Sequence, residues 1–239
     1  MPQEIVRPFS PAVEDYLKTV YELQQEEETV STSGLAKAMG TSAAAASKMF
    51  KYLAELRLLD HTPYQGVRLT SAGEKVALEV IRHHRLIELY LYQALGYRWD
   101  EVDAEAEKLE HHISEEFEER IDRLLDFPAT DPHGHPIPTR DGLIAPQRGI
   151  PLPEVEEGAT VVILRVRDSD PEALRYLDRL EMRLASVLNI VEKQPFNGPI
   201  TIRVGGVTHS IGRELAGHVF VEKFVPSTVN EDSKEVVTQ

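Results

Sequence analysis

The 239-residue chain is 41% hydrophobic and 28% charged, with no cysteine and a formal net charge of -14. That balance fits a soluble globular protein of one large or two small domains, and no apolar run approaches the length that crosses a bilayer. The absence of cysteine excludes disulfides, zinc ribbons and thiolate catalysis, so a bound metal must be held by oxygen and imidazole nitrogen. The start, MPQEIVRPFSPAVEDY, has neither a basic n-region nor an apolar h-region, and the expected location is the cytoplasm.

In SPAVEDYLKTVYELQQEEE, apolar residues recur at helical spacing behind Ser10 and Pro11, which predicts a helix from about Pro11 to Gln25. A short helix over SGLAKAM ends at Gly40, and a third follows the turn GTS with Met49, Phe50, Leu53, Leu56 and Leu58 on one face. Two helices across a tight Gly-containing turn, followed by strands at Leu58 to Thr62 and Val67 to Thr70, read as a winged helix-turn-helix. Ser71 is expected to cap a long amphipathic helix to Leu95, and the next helix should run from about Asp100 to Leu125. Residues 127–154, rich in Pro, Gly, Asp and His, read as an ordered but irregular linker. Beyond them TVVILRVR, SVLNIVEK, PITIRV and HVFVEKF are strands and DPEALRYLDRL a helix, which suits a small, bent SH3-like sheet; residues 227–239 should be a frayed tail.

Charge is unevenly spread along these elements. Residues 100–126 hold 12 acidic against 3 basic side chains, while residues 1–75 hold 10 against 8. The N-terminal third can therefore offer phosphate a locally positive face despite the acidic total. On the acidic helix Asp103, Glu107, Glu110 and His111 stand at i, i+4, i+7 and i+8, on one face, where like charges repel unless a cation intervenes. His84 and Glu88 repeat the pattern at i, i+4, and Asp15 lies at the edge of the buried face of helix one. Carboxylates and imidazoles projecting inward from neighbouring helices build metal sites in helical proteins, although an acidic helix is often only a solvated face. Glu105, Glu115, Glu116, Glu118 and Glu119 are read as solvated charge, and His83, His112, His133 and His135 as structural or surface residues.

The stretches VEDYLKTVYEL, RHHRLIELYL, VDAEAEKLEHHIS and DPHGHPIP, in that order around a winged helix, resemble the diphtheria toxin repressor (DtxR/MntR) family of metal-dependent transcriptional regulators. The resemblance covers nearly the whole chain. It implies a mainly α protein with a small β domain: a DNA-binding domain over 1–71, a helical dimerisation and metal-binding domain over 72–126, the linker, and an SH3-like (FeoA-like) domain over 155–226. Asp15, Glu107, Glu110 and His111 match the family's primary metal site. His84, Glu88 and Asp103 match an ancillary site, to which Asp168, or more weakly Glu172, would be the C-terminal domain's contribution. The iron-responsive branch has Met and Cys where this chain has Asp15 and Glu107, so the resemblance is to the manganese-responsive branch. Hard oxygen ligands with imidazole suit Mn(II) and leave Fe(II) possible. Compact manganese sensors carry a second acidic ligand three residues after Asp15, where this chain has Lys18; two separated mononuclear sites are therefore expected.

On the DNA side the recognition helix begins TSAAAASKMFKYL, and its N-terminal residues should enter the major groove. Ser42, Ser47, Lys48 and Lys51 can reach phosphates or base edges, Ala44 and Ala45 offer methyl contacts, and Arg68 sits on the wing. The alanine run can equally serve only to stabilise the helix. The expected protein is a homodimer on a palindromic operator, with no membrane and no small-molecule substrate as partner. A helical metalloenzyme would leave the winged helix unexplained, and a metal-independent winged-helix regulator would leave the acidic helix merely solvated.

Overall fold

The structure, a computed structural model, describes residues 9–62 and 66–225. The wing turn at 63–65 and the expected frayed tail lie outside the described residues. The chain divides into two compact units, one up to residue 147 and one from residue 148 onward.

In the first unit α1 (Pro11–Leu23) has Pro in its first turn, where a missing N–H costs no hydrogen bond. Helices α2 (Thr32–Ala38) and α3 (Ala43–Glu55) each start at a serine cap, Ser31 Oγ accepting from the Gly34 N–H and Ser42 Oγ from the Ala45 N–H. Between them Gly40 takes a left-handed φ of 62°. Strands β1 (Leu59–Thr62) and β2 (Gly66–Leu69) pair antiparallel, Leu59 opposite Leu69 and Thr62 opposite Gly66. Leu17, Val20, Leu35, Phe50, Leu53, Leu58 and Val67 close one apolar core around this winged helix, and Ala77 of α4 (Ser71–Leu95) belongs to it. The cap of α4 is Thr70, whose side chain accepts from the Gly73 N–H, and not Ser71 as expected; the helix begins one residue earlier because Thr70 retains extended backbone. Gly73 is where α4 meets the wing: a Cβ there would stand 2.1 Å from the Leu58 carbonyl oxygen.

The helix expected over 100–125 is two helices, α5 (Val102–Leu109) and α6 (Glu115–Leu124). The first ends at its C-cap Glu110, and Ser114 starts the second: its backbone is extended, and its hydroxyl accepts from the Phe117 N–H as an N-cap. The break lets Ile113 join Ile87, Leu91, Val102 and Ala106 in a second core cluster, while Ile121 packs with Leu86, Leu89 and Ile137 in a third. Residues 127–147 hold no helix or regular strand, yet Asp131, His133, His135 and Ile137 are buried.

The second unit contains β3 (Ile150–Pro151), β4 (Thr160–Val166), α7 (Pro171–Arg179), β5 (Val187–Lys193), β6 (Ile200–Val204), β7 (Val207–Ile211), α8 (Arg213–Ala216) and β8 (Val219–Lys223). The strands form one antiparallel sheet in the order β3-β8-β4-β5-β6-β7, with register shifts at Ile163/Arg165 and Ile190/Glu192 that help the SH3-like sheet to bend. Leu152, Ile163, Leu174, Leu177, Met182, Ile202 and Val221 fill its interior. Strand β7 has Val207, Thr208 and Ser210 exposed and Ile211 alone buried, and is not among the strands expected from hydrophobic pattern. Among the described residues, no helix is long and apolar enough to cross a membrane.

Candidate metal centre

The break after α5 places Glu110 and His111 in a turn facing α1. His111 is held between two carboxylates of that helix, its Nδ1 2.6 Å from Glu14 Oε2 and its Nε2 2.6 Å from Asp15 Oδ1; Glu110 Oε1 lies 3.3 Å from the same Nε2. Burial opposes a charge on the ring, but the Asp15 and Glu14 carboxylates outweigh it and raise the imidazole to about 9. Asp15, Glu110 and His111 thus form a set whose donor atoms lie within 4.8 Å of one another.

Glu107, expected with that set, stands beside it. Its Oε2 lies 2.7 Å from Lys18 Nζ, and Lys18 also reaches both Glu110 oxygens at 3.0 and 2.9 Å and His84 Nδ1 at 3.2 Å. Burial disfavours the charged ammonium, but Glu110 and Glu107 outweigh it and push the Lys18 pKa upward. Glu110 has no exposed side-chain surface and is held below the usual carboxylate range: burial opposes this, and the bond to His84 and the Lys18 charge prevail.

His84 faces two ways. Nδ1 lies 2.5 Å from Glu110 Oε2, and Nε2 lies 3.6 Å from Glu88 Oε1 and 3.4 Å from Asp103 Oδ1. The expected ancillary residues His84, Glu88 and Asp103 therefore do converge, from α4 and α5. Glu88 is fully buried and neither of its oxygens accepts a hydrogen bond, which burial answers by raising its pKa. An oxygen pair taken out of water without a donor is strongly disfavoured unless a cation meets it, so this donor set fits a metal ion.

Sequence reasoning missed what lies beyond Glu88. His133 Nδ1 stands 3.6 Å from Glu88 Oε1, its Nε2 donates to the Trp99 carbonyl at 2.7 Å, and the ring stacks on Trp99. That bond leaves Nδ1 as the ring's acceptor nitrogen, facing Glu88. Asp131 Oδ1 accepts the backbone N–H groups of His133 and His135, and Oδ2 lies 3.3 Å from His135 Nδ1. The alternation Asp-x-His-x-His in DPHGHP was the available signal. Of the two readings, structural or surface, burial removes the surface one: His133 and His135 are interior, in a carboxylate–imidazole set with Asp131. Glu118, read as solvated, is also interior: it faces α4 along α6 and meets Arg82 Nε at 2.5 Å and His83 Nε2 at 3.2 Å. His112 is exposed, as expected. Asp168 is half-buried in the loop between β4 and α7, and Glu172 is exposed in the first turn of α7, where its N–H bonds Asp170.

On the winged helix, Ser42 is engaged as the α3 cap; Ala44, Ala45, Lys48 and Lys51 are exposed, and Ser47 is half-buried. Arg68 is exposed and pairs with Glu28.

A winged helix whose first helix shares buried carboxylate–imidazole clusters with the next helical layer defines a metal-dependent DNA-binding regulator. The comparisons with known proteins agree. Residues 8–67 match the iron dependent repressor N-terminal DNA binding domain, residues 70–139 the iron dependent repressor metal binding and dimerisation domain, and residues 150–223 the FeoA domain. The chain belongs to the diphtheria toxin repressor (DtxR/MntR) family of metal-dependent transcriptional repressors. It is 31% identical to the iron-dependent repressor IdeR of Mycobacterium leprae, across 88% of this chain and 96% of that one. Among solved structures it resembles a manganese-dependent transcriptional repressor in complex with manganese (39% identity, TM-score 0.82, 89% of this chain and 100% of that one) and ScaR with bound Cd2+ (33%, 0.77, 89% and 99%). These relatives are repressors, and the metalloenzyme reading falls with that finding.

Proposed function

We propose that the protein is a cytoplasmic, homodimeric repressor activated by Mn(II), which binds a palindromic operator and controls manganese homeostasis genes. The observation that carries this reading is the convergence of Asp15 from α1 with Glu110 and His111 from the α5–α6 turn, a set of oxygen and imidazole donors with no sulfur. Such donors suit Mn(II), and selectivity over ions that bind oxygen and nitrogen more tightly must come from geometry and metal availability. The similarity to a manganese-dependent repressor supports the same choice. Fe(II) is the second reading, favoured by the iron-dependent relatives.

Asp15, Glu110 and His111 would hold one ion, and His84, Glu88 and Asp103 a second, with the set around Asp131 and His133 next to Glu88 as a further donor source. A bound divalent cation would supply the positive charge that lets these carboxylates approach. Asp15 then ties α1, and with it the recognition helix α3 packed in the same core, to the α5–α6 turn. The outer face of α4 to α6 leaves Leu95, Leu109 and Phe117 exposed beside Ile87, Leu91 and Ile113, an apolar surface that suits the dimer partner. Fixing α1 on this helical layer would set the spacing of two recognition helices on two half-sites. A coupling of about 1 to 3 kcal/mol changes DNA affinity roughly 5- to 150-fold.

Fluorescence anisotropy with promoter DNA, with Mn(II), with Fe(II) under anaerobic conditions, and with chelator, tests the reading. Tight binding only with Mn(II) is expected; equal binding in chelator removes the metal switch, and a response to Fe(II) alone moves the assignment to iron.

A further inference from the structure

Arg68 is the only lysine or arginine in β1 and β2, and the backbone around it fixes what stands beside it. The Val30 N–H donates to the Val67 carbonyl at 2.9 Å and the Val67 N–H to the Val30 carbonyl at 3.0 Å, so the α1–α2 connection runs along β2. Gly66 permits this approach, because a Cβ there would stand 2.5 Å from the Val30 carbonyl oxygen. On the other side of Arg68, Gln24 Oε1 accepts from the Leu69 N–H at 3.0 Å. The residues before and after Arg68 are thus both tied to segment 24–30, which carries Glu28, and Arg68 Nη2 pairs with Glu28 Oε1. Across the wing, Asp60 of β1 is directly opposite Arg68, and both are exposed. Residues opposed in this way share one face of the strand pair.

An exposed ion pair usually contributes little, in part because two long side chains must be ordered to make it. Here the backbone that carries each partner is already fixed against the other. A carboxylate and a phosphate offer a guanidinium the same paired acceptor oxygens. We propose that Glu28 is an intramolecular competitor for DNA phosphate: it holds Arg68 in the free protein, and the wing grips the DNA backbone only when a phosphate displaces this carboxylate. Asp60, on the other side, keeps the strand pair from carrying net positive charge. The contact lowers affinity for every duplex alike, since phosphate carries no sequence information, and leaves base reading to α3. The inference rests on DNA binding by the winged helix and is independent of which metal activates it.

The test is a double-mutant cycle on the full-length protein at saturating Mn(II), with a random-sequence duplex followed by fluorescence anisotropy and folding checked by circular dichroism. Glu28→Gln should bind the duplex roughly 1.5- to 5-fold more tightly per protomer, the range to which the worth of an exposed ion pair converts. In an Arg68→Ala background the same substitution should give no gain. Glu27→Gln, which removes the same charge from the neighbouring exposed position, should gain less than Glu28→Gln. No gain in folded Glu28→Gln overturns the proposal. So does an equal gain with and without Arg68, or from Glu27→Gln, because Glu28 would then act only by repelling DNA at large. Each of these results leaves DNA binding by the parent intact. A parent that binds neither random nor promoter duplex with Mn(II) or Fe(II) would instead overturn DNA binding by the winged helix, and the proposal with it.

Discussion

His111 Nδ1 and the Glu14 carboxylate are bonded at 2.6 Å in the interior, 97 positions apart in the chain. This bond fixes the ring so that Nε2 faces Asp15 and Glu110. A carboxylate behind a ligating imidazole orients it and raises its basicity, and losing such a partner typically lowers metal affinity about 10- to 100-fold. Glu14→Ala should weaken Mn(II) binding by that factor in titration calorimetry, with Glu14→Gln less affected because the amide oxygen still accepts. Undiminished affinity in Glu14→Ala would remove Glu14 from the centre.

The winged helix was readable because each element carries its own signal: serine caps before α2 and α3, Gly40 in the turn, and apolar residues at helical spacing that all reach one core. The break at 110–114 was not. EKLEHHISEEFEERI is helix-forming throughout, and only the pull of Ile113 into its cluster and the Ser114 cap divides it. That break changes which donors converge, because Glu110 and His111 sit in a turn and Glu107 stays on α5 beside Lys18. Edge strand β7 was lost for the opposite reason, since a single buried side chain, Ile211, leaves no hydrophobic period. In DPHGHP the composition speaks of a loop, while burial comes from Trp99 and α4, which no local pattern announces. If Ser114 is the device that divides α5 from α6, Ser114→Ala should cost about 1 kcal/mol in urea unfolding and also weaken Mn(II) binding.

Glu118 links α6 to Arg82 and His83 of α4. Burial would raise its carboxyl, but His83 and Arg82 prevail and hold it at about 2, below the ordinary 4.5. A depressed carboxylate stabilises the fold fully above its unfolded value and ceases to do so as pH falls through the folded one. Urea midpoints should therefore drop between about pH 4.5 and pH 2, and Glu118→Gln, less stable at neutral pH, should show a shallower decline across that window. Parallel curves would place the acid sensitivity elsewhere.

The pair Glu88 and His133 gives the second centre its own test. Both are fully buried, and Nδ1 of the ring faces the carboxylate at 3.6 Å. His133→Ala should lose or weaken one class of Mn(II) site and leave the Asp15/Glu110/His111 class in place; Asp15→Ala should do the reverse. Calorimetric titrations that show the same loss for both variants would mean that the clusters act as one site.

DNA binding offers the most direct check on α3. Lys48 and Lys51 are exposed on this helix, while the residues at its start are alanines that carry no hydrogen-bonding group. If the lysines contact phosphates, their removal weakens all sequences alike, because phosphate carries no sequence information. Each phosphate contact contributes about 0.9 to the slope of log affinity against log salt on duplex DNA. Lys48→Ala and Lys51→Ala should each lower that slope by about 1 per protomer, measured by anisotropy at fixed Mn(II), with the ratio of operator to random DNA preserved. A collapse of that ratio with an unchanged slope would instead make the lysine a reader of base edges.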